Sequence, residues 1–138
     1  MALRTETRVR ARALQILYAW ELQGEPSIQQ VALGVIGWNP RQLACGEAAE
    51  ALATQVAGRV AELDRQIGRT ADNWRLDRIG TVERNILRMG LHELQQSETP
   101  ARVVISEAVR LAHWFAGAKA PAFVNGVLDS LARQLGRL

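Results

Sequence analysis

Apolar residues recur every three or four positions along most of the chain, which is the spacing of an amphipathic α-helix. The clearest example runs from Val82 to Leu94. Its apolar positions are Val82, Ile86, Leu87, Gly90, Leu91 and Leu94. A glycine inside a helix costs about 1 kcal/mol relative to alanine, so we expect another helix to approach closely at Gly90. The pattern therefore predicts that this segment is the central helix of a bundle.

The same segment has a polar side. Its members are Arg84, Asn85, Arg88, His92 and Gln95, and we predict that they face water. Thr81 is predicted to cap the helix. Glu83 falls in the first turn, where the helix dipole favours a negative charge.

Further helices are predicted on both sides of the central one, at about 4–22, 27–36, 43–67, 101–116 and 121–135. No alternating segment of convincing length suggests a strand, so the predicted fold class is all-α. A chain of 138 residues suits one domain, 1–138, with a slight division near Gly68. The longest uncharged run cannot span a membrane, and a lone cysteine gives no sign of secretion. We therefore expect a soluble, cytoplasmic protein.

The net charge of +3 is concentrated at one end of the sequence. Residues 1–12 hold four arginines and one glutamate, whereas the remaining 13 basic and 13 acidic side chains cancel. Arg4, Arg8 and Arg12 repeat on one helical face and repel one another, a repulsion that an RNA backbone would turn into attraction. Arg10 points elsewhere in an ideal helix. The row suits a phosphate-binding surface, and it also suits an ordinary solvated face.

Two histidines and one cysteine are too few for a dense catalytic or metal site, so we expect no enzyme activity, no metal and no cofactor. Lys119 is the single lysine, and its loop leads directly to Phe123. A phenylalanine in the first turn of a helix beside a cationic loop can stack on an unpaired base. Packing inside the bundle is the alternative for Phe123. Core or edge packing is predicted for Trp20, Trp74 and Trp114.

Three segments together resemble the NusB family of transcription antitermination factors, over essentially the whole chain. The first is the arginine-rich opening from Arg8 to Leu22, and the second runs from Trp74 to Leu94. The third runs from Val104 to Asp129 and contains the motif Phe-Val-Asn-Gly-Val-Leu-Asp. That motif and Val-Glu-Arg-x-Ile-Leu-Arg are the most specific parts of the resemblance.

The resemblance implies about seven helices in two small sub-bundles, roughly 1–67 and 68–138. It implies binding of single-stranded boxA RNA in ribosomal RNA leaders, together with the small-subunit ribosomal protein NusE. The complex would then join the RNA polymerase antitermination complex and promote processive transcription of ribosomal RNA.

The resemblance implies that the RNA contacts of the family correspond to Arg8, Arg10, Arg12 and Phe123. Because Arg4 and Lys119 are positively charged and lie near these residues in sequence, we predict that they bind RNA as well. The family's contacts with the ribosomal protein fall on Glu83 and Tyr18. Three places in the chain depart from the usual family pattern: the pair Ala11 and Arg12, then Lys119, and His92 in place of a tyrosine. We expect these changes to strengthen attraction to phosphate without adding base selectivity.

Two alternatives belong to other functional classes. Ribosomal RNA cytosine methyltransferases carry a similar RNA-positioning domain ahead of a catalytic one, but the sequence ends at Leu138 with no such domain, so we expect a stand-alone factor. A self-associating homodimer is the other alternative, and it would cover part of the RNA-binding surface.

Overall fold

Seven α-helices make up the regular structure of the computed structural model, which describes residues 4–36, 40–71 and 79–138. They are α1 (Thr5–Leu22), α2 (Ile28–Ile36), α3 (Pro40–Ala57), α4 (Val60–Thr70), α5 (Thr81–Gln96), α6 (Ala101–Phe115) and α7 (Ala120–Gln134). No strand occurs within those described ranges. The predicted all-α class with about seven helices is confirmed.

Helices α1, α2 and α3 form the first of two compact units, Met1–Gly58. One face of α1 lies in the core of this unit, and Ala13, Ile16 and Leu17 have no exposed surface. Trp20 is buried as predicted, and its indole N–H donates a 2.9 Å hydrogen bond to the carbonyl of Pro26. This bond ties the end of α1 to the turn before α2. Trp74 lies outside the described residues.

The predicted helix 43–67 is in fact two helices, because the chain turns at Gly58 and Arg59. The second compact unit begins at this turn and spans Arg59–Leu138, so the division lies nearer Gly58 than the expected Gly68. The physical reason is the packing of α4. Its Leu63 and Ile67 are fully buried, and its Asp64 pairs with Arg88 of α5. Helix α4 is thereby joined to the second unit.

Helix α5 is the centre of the second unit and contacts α4, α6 and α7. Its apolar side chains Ile86, Leu87, Leu91 and Leu94 are at most 1% exposed. The helix begins at Thr81 itself, with Gly80 as the capping residue, so the predicted N-cap was one residue off. At Gly90, an added Cβ would lie 2.8 Å from Cδ1 of Leu128 on α7. The expected close approach of another helix is therefore present.

The predicted polar side of α5 was wrong at three positions, because Asn85, Arg88 and His92 are buried. Arg88 donates to both carboxylate oxygens of Asp64 at 2.7 Å and to Oδ1 of Asn85 at 3.0 Å. Asn85 in turn donates to the carbonyl of Thr81 at 2.9 Å. These polar groups satisfy one another, which allows α4 to cover this side of α5.

A second group of polar contacts follows one turn further along α5. Arg59 lies 2.8 Å from Nδ1 of His92 and 2.5 Å from Oε1 of Gln95. Gln95 donates to Gln66 of α4 at 2.6 Å. An arginine has only donors, so Nδ1 of His92 must be the acceptor and the ring is neutral with its proton on Nε2. Burial and the nearby charge of Arg59 both lower the pKa of His92 below 6.5.

We expect this histidine to make stability depend on pH. Between the lowered folded pKa and the ordinary unfolded pKa near 6.5, the unfolded chain binds more protons than the folded one. The free energy of unfolding should therefore fall as the pH drops below about 6.5, and this contribution should be fully present at higher pH. Urea denaturation at several pH values measures it, with His92→Gln as the comparison because glutamine does not titrate. Parallel pH profiles for the two proteins would contradict the expectation.

Candidate nucleic-acid and partner interface

The arginine row of the first unit lies along the start of α1. Arg4 and Arg8 are exposed, and Arg12 is partly exposed and donates a 2.9 Å hydrogen bond to Gln15. The carbonyl of Arg4 accepts a hydrogen bond from the backbone N–H of Arg8, so the helical geometry already holds at this residue. Side chains four residues apart share one helical face. The row can therefore present guanidinium groups along a phosphate backbone.

Arg10 differs from the rest of the row, because only 8% of its surface is exposed and the residue already has an interaction partner in the protein. It precedes the buried Leu14 and Leu17 by four and seven residues, so helical periodicity places it on the core side of α1. The sequence placed Arg10 among the RNA contacts. Its burial places it in the packing of the helix, and a contact with RNA stays a prediction for this residue.

In the second unit, a groove of about 410 Å³ lies at the first turns of α5 and α7. It is lined by Ile79, Gly80, Glu83, Gly117, Ala118, Lys119, Ala120 and Phe123. Both helices direct their N-terminal ends toward this groove, and a helix N-terminus carries a partial positive charge that favours anions. The groove thus brings Glu83 together with Lys119 and Phe123, which the sequence selected as a pair.

Glu83 has a defined position in the groove. Its carboxylate lies so close to Gly80 that a Cβ on residue 80 would overlap one carboxylate oxygen. Glycine at the cap therefore leaves room for the carboxylate. The neighbouring Arg84 donates a 2.8 Å hydrogen bond to the carbonyl of Ile79 and so fixes the chain that forms this wall.

Phe123 lies on the first turn of α7 and is partly exposed, with buried Ala120 and Val124 beside it on the core side. Pro121 pre-forms the first turn of this helix, because its fixed φ matches helical geometry. The ring is therefore held at the edge of the groove beside the exposed Lys119. Tyr18, the other residue assigned to the protein partner, is on α1 in the first unit and is 40% exposed.

Sequence reasoning missed an aromatic surface at the end of α6. Trp114 is 45% exposed, in contrast to the core or edge packing predicted for it. The guanidinium of Arg110 stands 5.9 Å from the centre of its ring, and Phe115 meets the ring edge-on at 6.3 Å between centroids. The available signal was the spacing, since Arg110 and Trp114 are four residues apart on a polar helix face.

Across residues 4–36, 40–71 and 79–138, no three His, Cys, Asp or Glu side chains lie where they could jointly hold a metal ion. None of the helices in these ranges is both long and apolar enough to cross a membrane.

The chain matches the NusB family over residues 7–133. The transcription antitermination protein NusB of Anaeromyxobacter dehalogenans is 37% identical over 129 residues, 94% of this chain and 91% of that protein. The structure of T. maritima NusB is 25% identical with a TM-score of 0.83, covering 97% of this chain and 94% of its own. A crystal structure of NusB and NusE with double-stranded RNA gives 32% identity and a TM-score of 0.78, covering 96% of this chain and 99% of the matched one. The chain therefore belongs to the NusB family of transcription antitermination proteins.

Proposed function

We propose that this protein binds single-stranded boxA-type RNA in ribosomal RNA leaders together with the ribosomal protein NusE. The bound complex acts with the RNA polymerase antitermination complex in the cytoplasm and keeps ribosomal RNA transcription processive. The observation that carries the proposal is the groove containing Lys119, Phe123 and Glu83. The solved complex of a relative with NusE and RNA supports these two classes of partner.

The RNA contacts have two different physical tasks in this proposal. Phe123 stacks on an unpaired base, while Lys119 and the helix N-termini beside it attract phosphate. Arg4, Arg8 and Arg12 contact the backbone without regard to sequence, since phosphates carry no base identity. Arg10 is proposed to support this row through the packing of α1, because only 8% of the residue is exposed.

Glu83 and Tyr18 are proposed to contact NusE. A carboxylate held at the edge of an open groove can accept hydrogen bonds from arginine, lysine or backbone N–H groups of a protein partner. Because Glu83 shares its groove with Lys119 and Phe123, RNA and the ribosomal protein would meet at this one place in the second unit.

The test is a binding measurement with a boxA-type RNA and a scrambled strand, with and without NusE, at two salt concentrations. We expect NusE to increase affinity for the boxA-type strand more than for the scrambled one. Weak binding that neither sequence nor NusE alters would overturn the proposal. Sedimentation of the free protein and of the mixture shows whether a homodimer forms and whether RNA dissociates it.

Two substitutions should separate base stacking from phosphate attraction. Phe123→Ala should weaken binding by about 1–3 kcal/mol, the usual contribution of one stacked base. Arg8→Ala should instead weaken binding to boxA-type and scrambled strands equally and reduce the salt slope by about 0.7. Arg65→Ala serves as the control, because it removes an exposed positive charge on α4 that does not line the groove. An unchanged affinity for Phe123→Ala would exclude the stacking role.

A further inference from the structure

The exposed end of α6 carries an aromatic and cationic surface that the proposed groove does not use. It consists of Arg110, Trp114 and Phe115, and we name it the α6 aromatic surface. Trp114 is 45% exposed and Phe115 is 39% exposed. Large aromatic side chains usually bury most of their area, so two adjacent exposed rings are an unusual feature of a helix end.

Contacts within the α6 aromatic surface hold the indole ring of Trp114 in place. Arg110 stands 5.9 Å from the ring centre, and Phe115 packs edge-on at an interplanar angle of 87°. An aromatic ring held in place loses less entropy when a ligand stacks on it. A guanidinium at the same place adds a phosphate contact and a planar group that itself stacks on bases.

We propose that the α6 aromatic surface is a second stacking platform for an unpaired base of the bound RNA. This inference rests on the proposed function, because it extends the path of the same RNA strand. Trp114 supplies the stacking face, and Arg110 attracts the neighbouring phosphate.

The charge around the α6 aromatic surface favours nucleic acid as its occupant. The exposed charged side chains of α6 include Arg102 and Arg110, whereas its single acidic residue, Glu107, is only 8% exposed. A helix whose exposed arginines outnumber its exposed carboxylates suits a phosphate chain. A stable protein interface needs about 800 Å² from each partner, far more than two half-exposed rings provide.

The connection to the groove is short enough for one strand to contact both places. Trp114 precedes Lys119 by five residues, so their Cα atoms are at most about 18 Å apart even in a fully extended chain. Proteins that bind single strands commonly cover about 4–16 nucleotides per domain. A strand that stacks on Phe123 can therefore continue onto the α6 aromatic surface.

The experiment compares two RNA lengths: a minimal boxA-type strand and the same strand extended by several nucleotides at each end. The wild-type protein should bind the extended strand more tightly, and Trp114→Ala should remove about tenfold in affinity from the extended strand only. Trp114→Phe should retain most of the affinity, because it keeps an aromatic face. Val103→Ala is the matched control, since Val103 is also exposed at 40% on the same helix.

A second measurement detects the contact directly. Extended RNA carrying 5-iodouridine outside the boxA segment should photocrosslink to the peptide that contains Trp114. Equal binding of the extended strand by wild type and Trp114→Ala, with no such crosslink, would overturn the platform.

The outcomes also separate this inference from the proposed function. If Phe123→Ala weakens boxA binding while Trp114→Ala does not change extended-strand binding, the platform fails and the proposed function stands. If neither boxA selectivity nor a Phe123 effect is found, the proposed function fails. A Trp114→Ala defect seen only when NusE is present would assign the surface to a protein contact and overturn the platform.

Discussion

Replacing Asp64 by alanine is expected to lower the free energy of unfolding by about 3 kcal/mol. The reason is that the substitution removes an ionic partner of Arg88. Arg88 is only 4% exposed and donates to both carboxylate oxygens of Asp64 at 2.7 Å. Without Asp64, a buried cation keeps its bond to Asn85 but loses two charge-assisted hydrogen bonds to a carboxylate. We expect the lower end of the usual range of about 3–5 kcal/mol, because the Asp64 side chain is 26% exposed and water can enter there.

A matched control tests whether burial is the cause. Asp129 and Arg133 form a salt bridge of similar length, 2.9 Å, but their side chains are 38% and 65% exposed. Asp129→Ala should therefore cost only about 0.5 kcal/mol. The double variant Asp64→Ala with Arg88→Met should recover much of the lost stability, since it also removes the buried charge. Equal losses for Asp64→Ala and Asp129→Ala in urea denaturation would show that burial of Arg88 does not matter.

The burial of Arg88 also shows where periodicity stops being informative. The spacing of Ile86, Leu87 and Leu91 predicted the core side of α5 correctly, since hydrophobic side chains are the ones that burial favours. Arg88 and His92 are polar, so the same reasoning predicted that they face water. Their partners Asp64 and Arg59 lie 24 and 33 residues away, in α4 and in the turn that precedes it. No local pattern carries information about such a pairing.

The candidate site shows the same division between local and long-range information. Phe123 and Lys119 are close in sequence, and a cationic loop that leads into the first turn of a helix was enough to select them together. Glu83 was selected through its motif, and its place in the same groove depends on how α5 packs on α7. Arg10 and Arg8 carry the same charge, so charge could not distinguish them. Arg10 is buried because it lies on the same face of α1 as Leu14 and Leu17.

The packing of α7 on α5 leads to the second large expected effect. Leu128 is fully buried, and Leu128→Ala should cost about 3 kcal/mol through lost burial and the cavity left behind. Gly90→Ala should cost about 1 kcal/mol, because overpacking against the two Leu128 methyl groups, 2.8 and 2.9 Å from the new Cβ, outweighs the gain in helix propensity.

The double variant Gly90→Ala with Leu128→Ala should be more stable than the sum of the two losses implies, by at least about 1 kcal/mol. The new methyl group at residue 90 would occupy part of the space that Leu128 vacates, so its steric penalty disappears and its helix propensity remains. Gly126→Ala is the control, since a Cβ at that position on α7 meets no atom within 4 Å and should be neutral or stabilising. Strict additivity in thermal unfolding would mean that Gly90 and Leu128 do not form the contact that holds α7, and with it Phe123, against the central helix.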